Sequence, residues 1–267
     1  MKIYIATSKT TNHILPIFCY LFNKYWGEAD VNILGFGILD TQLPDNFNFI
    51  SLAEEQIGGA SRWTSYIRNY FSKKEVDNFI FGLDDSFIVR EVNHESLKYI
   101  DGLMHKDDTI GRFDLTPGMQ WATARRGHLK VRQRGQHKIV ECLHSNQGKN
   151  LYRLSAAFSY WNRDYFLKFM AKDRSPWEWE TRGSLEAESD SHRVYGMLDK
   201  WPVKKTEGLS NSQFPGKINT YHMREVDVQY IIENNLVIDK TLEMGNIRHE
   251  FEEWSYIPGW CGSIYGK

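Results

Sequence analysis

The stretch NFIFGLDDSFIV, residues 78–89, decides how this chain is read. Asn78 to Leu83 form a short apolar run, the pattern of a strand covered on both faces within a mostly parallel sheet. Asp84 and Asp85 then stand where that strand runs out, at its carboxyl end. In open α/β sheets that edge is where ligands bind. The competing explanation is local, since Asp is also favoured at helix caps and in turns. Position alone leaves both open.

Upstream, KIYIATS (2–8) is rich in β-formers and TTN (10–12) supplies cap residues. Ile14, Phe18, Leu21 and Tyr25 then recur at helical spacing. VNILGFG (31–37) and FNFISL (47–52) read as strands, and SRWTSYIRNYF (61–71) as a helix before the acidic pair. This alternation predicts an α/β fold, a mostly parallel central sheet flanked by helices. Downstream, NHESLKYIDGLM (93–104) reads as a capped helix and TIGRFDL (109–115) as a strand. YRLSAAFSYW (152–161) reads as a strand, and RDYFLKFMA (163–171) as a helix. SPWEWETRGSLEAE (175–188) begins a helix with Pro176 in its first turn. VDVQYIIENN (226–235) reads as a short helix. No repeat or Pro/Ser linker divides the chain, so residues 1–267 are expected to form a single domain.

Bulk properties narrow the class. Nine Trp, fourteen Tyr and fifteen Phe suit stacking on flat ligands as well as core filling. A formal net charge of −1 excludes a globally basic protein while leaving local patches open. Cys19, Cys142 and Cys261 are too scattered for a disulfide framework or a metal knuckle. There is no signal-peptide core near Met1. The apolar run from Ile14 to Phe22 is about half a membrane span. A soluble protein without a membrane span, in the cytoplasm, is the expectation.

A nucleotide-sugar donor carries a diphosphate beside a ribose. Carboxylates hold such a group through a bridging Mg²⁺ or Mn²⁺, or by accepting hydrogen bonds from ribose hydroxyls. The order strand–helix–strand–strand–helix, then FGLDDSFI, then SAAFSYWNRDYFLKFM and SPWEWE, resembles a family of bacterial and phage glycosyltransferases with the GT-A fold. The similarity covers residues 2 to 185. It implies a donor-binding half through residue 115 and an acceptor-side half from residue 116. It also implies a UDP-sugar co-substrate and a divalent metal held by Asp85, with Asp84 on the ribose or assisting the metal. Thr7, Ser8 and Lys9 would lie near the nucleotide. Ser86 follows the pair where the usual signature, Asp-any-Asp, has its spacing.

In PWEWE, Glu178 and Glu180 are candidates for the base that deprotonates an acceptor hydroxyl. Trp177 and Trp179, with Trp161 before them, are candidates for an acceptor floor. The alternative for PWEWE is a plain helix start, where Pro and Glu are favoured. His222 is a candidate third metal ligand, and Arg68 a candidate phosphate contact; a lone surface His and a solvated helix face are the alternatives.

Residues 122–143 carry Arg125, Arg126, Lys130, Arg132, Arg134 and Lys138, punctuated by Gly127 and Gly135, and read as a hairpin or long loop. The acids nearest it are Asp114 and Glu141, so its cations are expected to lack local partners. Such a ribbon can track phosphates, making nucleic acid a candidate partner through residues 125–138. The acceptor is then a hydroxymethylated base in phage DNA. A bacterial surface polysaccharide or glycolipid is the alternative, and an inactive nucleotide-binding module a further one.

Overall fold

The computed structural model describes residues 1–117, 128–143, 152–170, 173–207, 218–219, 222–236 and 242–243. Four parallel strands form the first part of its sheet: β1 (Ile3–Ala6), β2 (Val31–Gly35), β3 (Phe47–Ser51) and β4 (Asn78–Leu83). Every residue of β1 is buried, as are Phe79 to Gly82 of β4, so both faces are covered as their apolar runs require. After Asp84 and Asp85 the chain turns into β5 (Ser86–Ile88), which leaves the sheet.

The second part of the chain extends the same sheet. It adds β6 (Ile110–Asp114), β7 (His128–Arg134), β8 (His137–Leu143), β9 (Ser159–Asn162) and β10 (Arg193–Met197). The nine-stranded order is β3-β2-β1-β4-β9-β6-β10-β8-β7. β9 pairs antiparallel with both β4 and β6, and β8 with both β10 and β7, while β6 and β10 are parallel. Seven of the nine strands therefore point the same way, the mostly parallel sheet that the alternation predicts.

Two apolar layers cover the sheet. α1 (Leu15–Tyr25) and α3 (His94–Lys106) pack on one face; α2 (Trp63–Phe71), α4 (Arg163–Phe169) and the helical run 176–189 pack on the other. Local chemistry sets the helix starts. Asn93 and Asn162 accept hydrogen bonds from the amides of Ser96 and Tyr165 at 3.0 Å each. α4 approaches β6 so closely that a Cβ on Gly111 would lie 2.5 Å from the Tyr165 ring, so only glycine fits there. No helix among the described residues is long and apolar enough to cross a membrane.

Three sequence expectations change in detail. The strand expected over 152–161 is confined to Ser159–Asn162. Before it, the amides of Ala156 and Ala157 bond to the side chains of Glu180 and Ser155 rather than to a ladder partner. The helix expected over 175–188 is a succession of short α, π and 3₁₀ turns. The basic segment resolves as a hairpin, β7 to β8, turning at Gly135 with φ +60° and Gln136. The C-terminal helix α5 (Glu225–Glu233) docks on α1, where buried Asp227 accepts from Tyr25 Oη at 2.5 Å and from Tyr20 Oη at 3.1 Å.

Candidate functional site

The chain builds β1, β2 and β3 outward in one direction, then returns across β1 to lay down β4 on its other side. The carboxyl ends of β1 and β4 thus flank a topological switch point, where the diverging loops leave a crevice. Thr7, Ser8 and Lys9 follow β1 there, and Asp84 and Asp85 follow β4.

Asp84 is buried, and its Oδ2 lies 2.5 Å from Thr7 Oγ1. That hydroxyl is also 3.1 Å from Asn12 Oδ1 and 3.3 Å from Thr11 Oγ1, and its single proton serves one acceptor at a time. Burial pushes the Asp84 carboxyl up to about 7, Asp85's charge adds to the rise, and the Thr7 and Thr11 hydroxyls oppose it. Asp85 is partly exposed. The Ser8 carbonyl accepts from the amides of Thr11 and Asn12 at 3.0 Å each, which closes the loop after β1 into a turn. Lys9 reaches across to the loop after β2, where a Cβ on Gly37 would meet its Cε at 3.3 Å.

Glu180 comes to this same end of the sheet. Its Oε1 accepts from Ser155 Oγ at 2.9 Å and from the Ala156 amide at 2.7 Å. Those residues lead into β9, which runs antiparallel to β4, so the lead-in passes β4's carboxyl end. The Phe158 ring lies 3.2 Å from where a Cβ on Gly82 would be. Glu180 keeps part of its surface exposed, yet the groups packed around it raise its pKa. The bonds from Ala156 and Ser155 and the charges of Arg112 and Lys205 pull the other way. Lys205 opens β11 (Lys205–Glu207), which pairs antiparallel with β5 just beyond Asp85.

The other candidates separate by position. Glu178 is the third residue of the helix capped by Ser175, and the two form a reciprocal capping box. Its carboxylate is held below the usual range, first by the Ser175 amide, and the helix-start explanation accounts for it. Trp161 and Trp179 are fully buried in the core beside Phe166, so neither offers a face to a sugar. Their placement on an acceptor floor is corrected accordingly. Trp177, 72% exposed, remains available to a ligand.

Arg68 is exposed on α2. His222 has φ +68°, and its carbonyl accepts from Arg90 Nη1 at 2.9 Å. Among the described residues no group of three or more His, Cys, Asp or Glu is placed to share a metal. The expectation that the basic ribbon lacks partners is overturned. Arg132 pairs with Glu141 across the hairpin, and Arg134 lies 5.5 Å over the Tyr195 ring. Arg125 and Arg126 fall outside the described residues.

Sequence reading passed over three contributors. Thr11 and Asn12 were read as cap residues but sit in the Thr7–Asp84 network. Lys205 carried no motif, and only strand pairing brings it near Glu180.

No protein-family model and no curated protein matches the chain. Solved structures offer distant likenesses. A cytidylyltransferase from Leptospira borgpetersenii is 9% identical, covering 90% of this chain and 98% of that one, with a TM-score of 0.40. A CMP:2-keto-3-deoxy-manno-octonic acid synthetase complexed with CTP is 13% identical over 73% and 88%, with a TM-score of 0.40. An apo UDP-glucose pyrophosphorylase is 10% identical over 78% and 93%, with a TM-score of 0.45. With TM-scores below 0.5, no functional assignment is transferred from them.

Proposed function

We propose that this chain is a nucleotide-sugar-dependent glycosyltransferase acting on an acceptor hydroxyl. The observation that carries the reading is the meeting of Asp84 and Asp85 with Thr7, Ser8 and Lys9 at the switch-point crevice. Lys9 supplies a cation for the donor diphosphate, and the carboxylates supply oxygen ligands. Mg²⁺ is commonly held by one or two carboxylates plus substrate phosphates, so Asp85, assisted by Asp84, fits that donor set. When bound, such an ion offsets charge on the departing diphosphate. His222 is not placed with Asp84 and Asp85 to complete a three-ligand group among the described residues, so the carboxylates alone are assigned.

Glu180 is assigned the role of base. Its Oε1 is occupied by Ser155 and Ala156, which orients the group and leaves Oε2 to take the proton of an attacking hydroxyl. A pKa raised by burial makes the carboxylate a stronger proton acceptor than a free Glu. Of the two acceptors suggested by the sequence, the distribution of cations favours nucleic acid over a surface glycan.

The test pairs two measurements. Nucleoside diphosphates, UDP foremost, should raise the unfolding temperature, more so with Mn²⁺ present. The protein should also slowly hydrolyse its nucleotide sugar. Binding without any hydrolysis identifies an inactive nucleotide-binding module instead, and no binding removes the reading.

A further inference from the structure

Beyond the crevice, seven cations lie on one course, and the fold explains how. β7 carries Lys130, Arg132 and Arg134 on one face, because alternate side chains of a strand point the same way. Cross-strand register puts Glu141 and His137 on that face too. α3 lies alongside. Gln136 Nε2 donates to Glu95 Oε1 at 3.0 Å, and Tyr99 stacks on His137 at 3.9 Å.

Continuing along that side of α3, helical spacing leads to positions 102 and 106. Position 102 is glycine, and nothing lies within 4 Å of where its Cβ would be. Position 106 is Lys. On this side of the sheet β7 thus carries Lys130, Arg132 and Arg134, while α3, which meets the hairpin at Glu95 and Tyr99, carries Lys106 beyond the unfilled position at Gly102. Glu141 compensates one of these charges by pairing with Arg132. His137, 5% exposed against Tyr99, has an Nδ1 with no hydrogen-bond partner.

β7 and β4 point the same way, so the Arg134 end of the hairpin lies at the edge that carries Asp84 and Asp85. Five strand steps separate them, ~24 Å. Residues 198–205 bridge that gap as a strap. The Leu198 amide bonds to Lys138 O, the Val203 amide to Leu115 O, and the Val89 amide to Lys204 O. The strap thus leaves the hairpin, crosses the carboxyl end of β6 and arrives at β5. It carries Lys200, Lys204 and Lys205 against one acid, Asp199.

We propose that this row of cations and the strap form one track for the backbone of a single-stranded nucleic acid, delivering a nucleotide hydroxyl to the crevice. What happens at the end of the track rests on the glycosyltransferase reading; binding along it does not. One file of cations matches one phosphate backbone. A duplex presents two backbones across a groove of about 12 Å. A positive groove that follows a strand is the common device for single-strand binding.

The test is fluorescence anisotropy on the full chain without donor, using labelled oligothymidylates of about two to about twelve nucleotides, around the roughly 4–16 of known single-strand sites. Affinity should climb with length, level off once the track is filled, and fall with salt at a slope near −0.7 per phosphate contacted. Lys130→Glu combined with Lys200→Glu, both at exposed positions, should weaken binding of the longer strands about tenfold at low salt, with circular dichroism confirming the fold. Affinity that is flat with length, or unchanged in that variant, overturns the track. Linear polyphosphate binding as tightly as a strand of equal charge overturns the nucleic-acid assignment. UDP-induced thermal shifts on the parent protein separate the two claims. Length-dependent strand binding without a UDP response sinks the transferase reading and leaves the track. A UDP response without strand binding does the opposite.

Discussion

Replacing Asp84 with Asn should make the protein more stable at neutral pH while removing donor binding. The carboxyl sits buried beside Asp85 and titrates near 7 in the folded chain, against an ordinary 3.8. That rise, at ~1.4 kcal/mol per pH unit, is worth ~4 kcal/mol as an upper bound. The sign follows from linkage. Below pH ~4 both folded and unfolded chains carry the proton, so the acid costs nothing. Between ~4 and ~7 the unfolded chain ionises first and is favoured, so stability falls across that window and levels off above it. Asn has no such titration, and its amide can still meet Thr7 Oγ1. Other ionisable groups are shared by the two proteins, so the difference between their urea-unfolding free energies isolates this site. Measured in chelator, the Asn variant should gain on the parent by up to ~4 kcal/mol between pH ~4 and ~8, mostly below ~7. A difference independent of pH would refute the reasoning.

Asp85→Ala should abolish sugar transfer with the fold intact, as should chelator on the parent; full activity in either case removes the metal role. Glu180→Gln should lower turnover by about 10²–10⁴ while UDP still raises the unfolding temperature. Glu178→Gln keeps the capping box and should turn over like the parent, so steady-state kinetics on the pair tells base from cap. Gly111→Ala should cost ~1–3 kcal/mol in urea unfolding, because the new methyl overlaps the Tyr165 ring. A neutral effect would mean that α4 shifts freely against β6.

How much of this was legible in the sequence depends on how local the cause is. Apolar runs and cap residues act within a few positions, so Phe79 to Gly82 and Asn93 announced their strand and helix. Asp84 and Asp85 could be placed because a strand's end is itself a local feature. Trp161 and Trp179 could not, since a Trp in the core and a Trp under a ligand look alike until packing partners such as Phe166 are known. Arg132 appeared unpaired because Glu141 is nine positions away, and only the hairpin register joins them. The antiparallel entry of β9 between β4 and β6 depends on pairings across much of the chain, which no short pattern encodes.

That entry of β9 has a consequence during synthesis. β4 ends at Leu83, yet the strand that completes its outer edge is not finished until Asn162, 79 residues later. At about 5–20 residues per second the ribosome takes roughly 4–16 s to supply it. Until then, a nascent chain with β1 to β4 assembled carries an open ladder edge along the apolar strand β4, an invitation to pair with a neighbour. A fragment ending near residue 117 would keep that edge indefinitely. Expression of the first half alone should therefore yield aggregate, and cells making the whole chain should benefit from a holdase that shields β4 for those seconds.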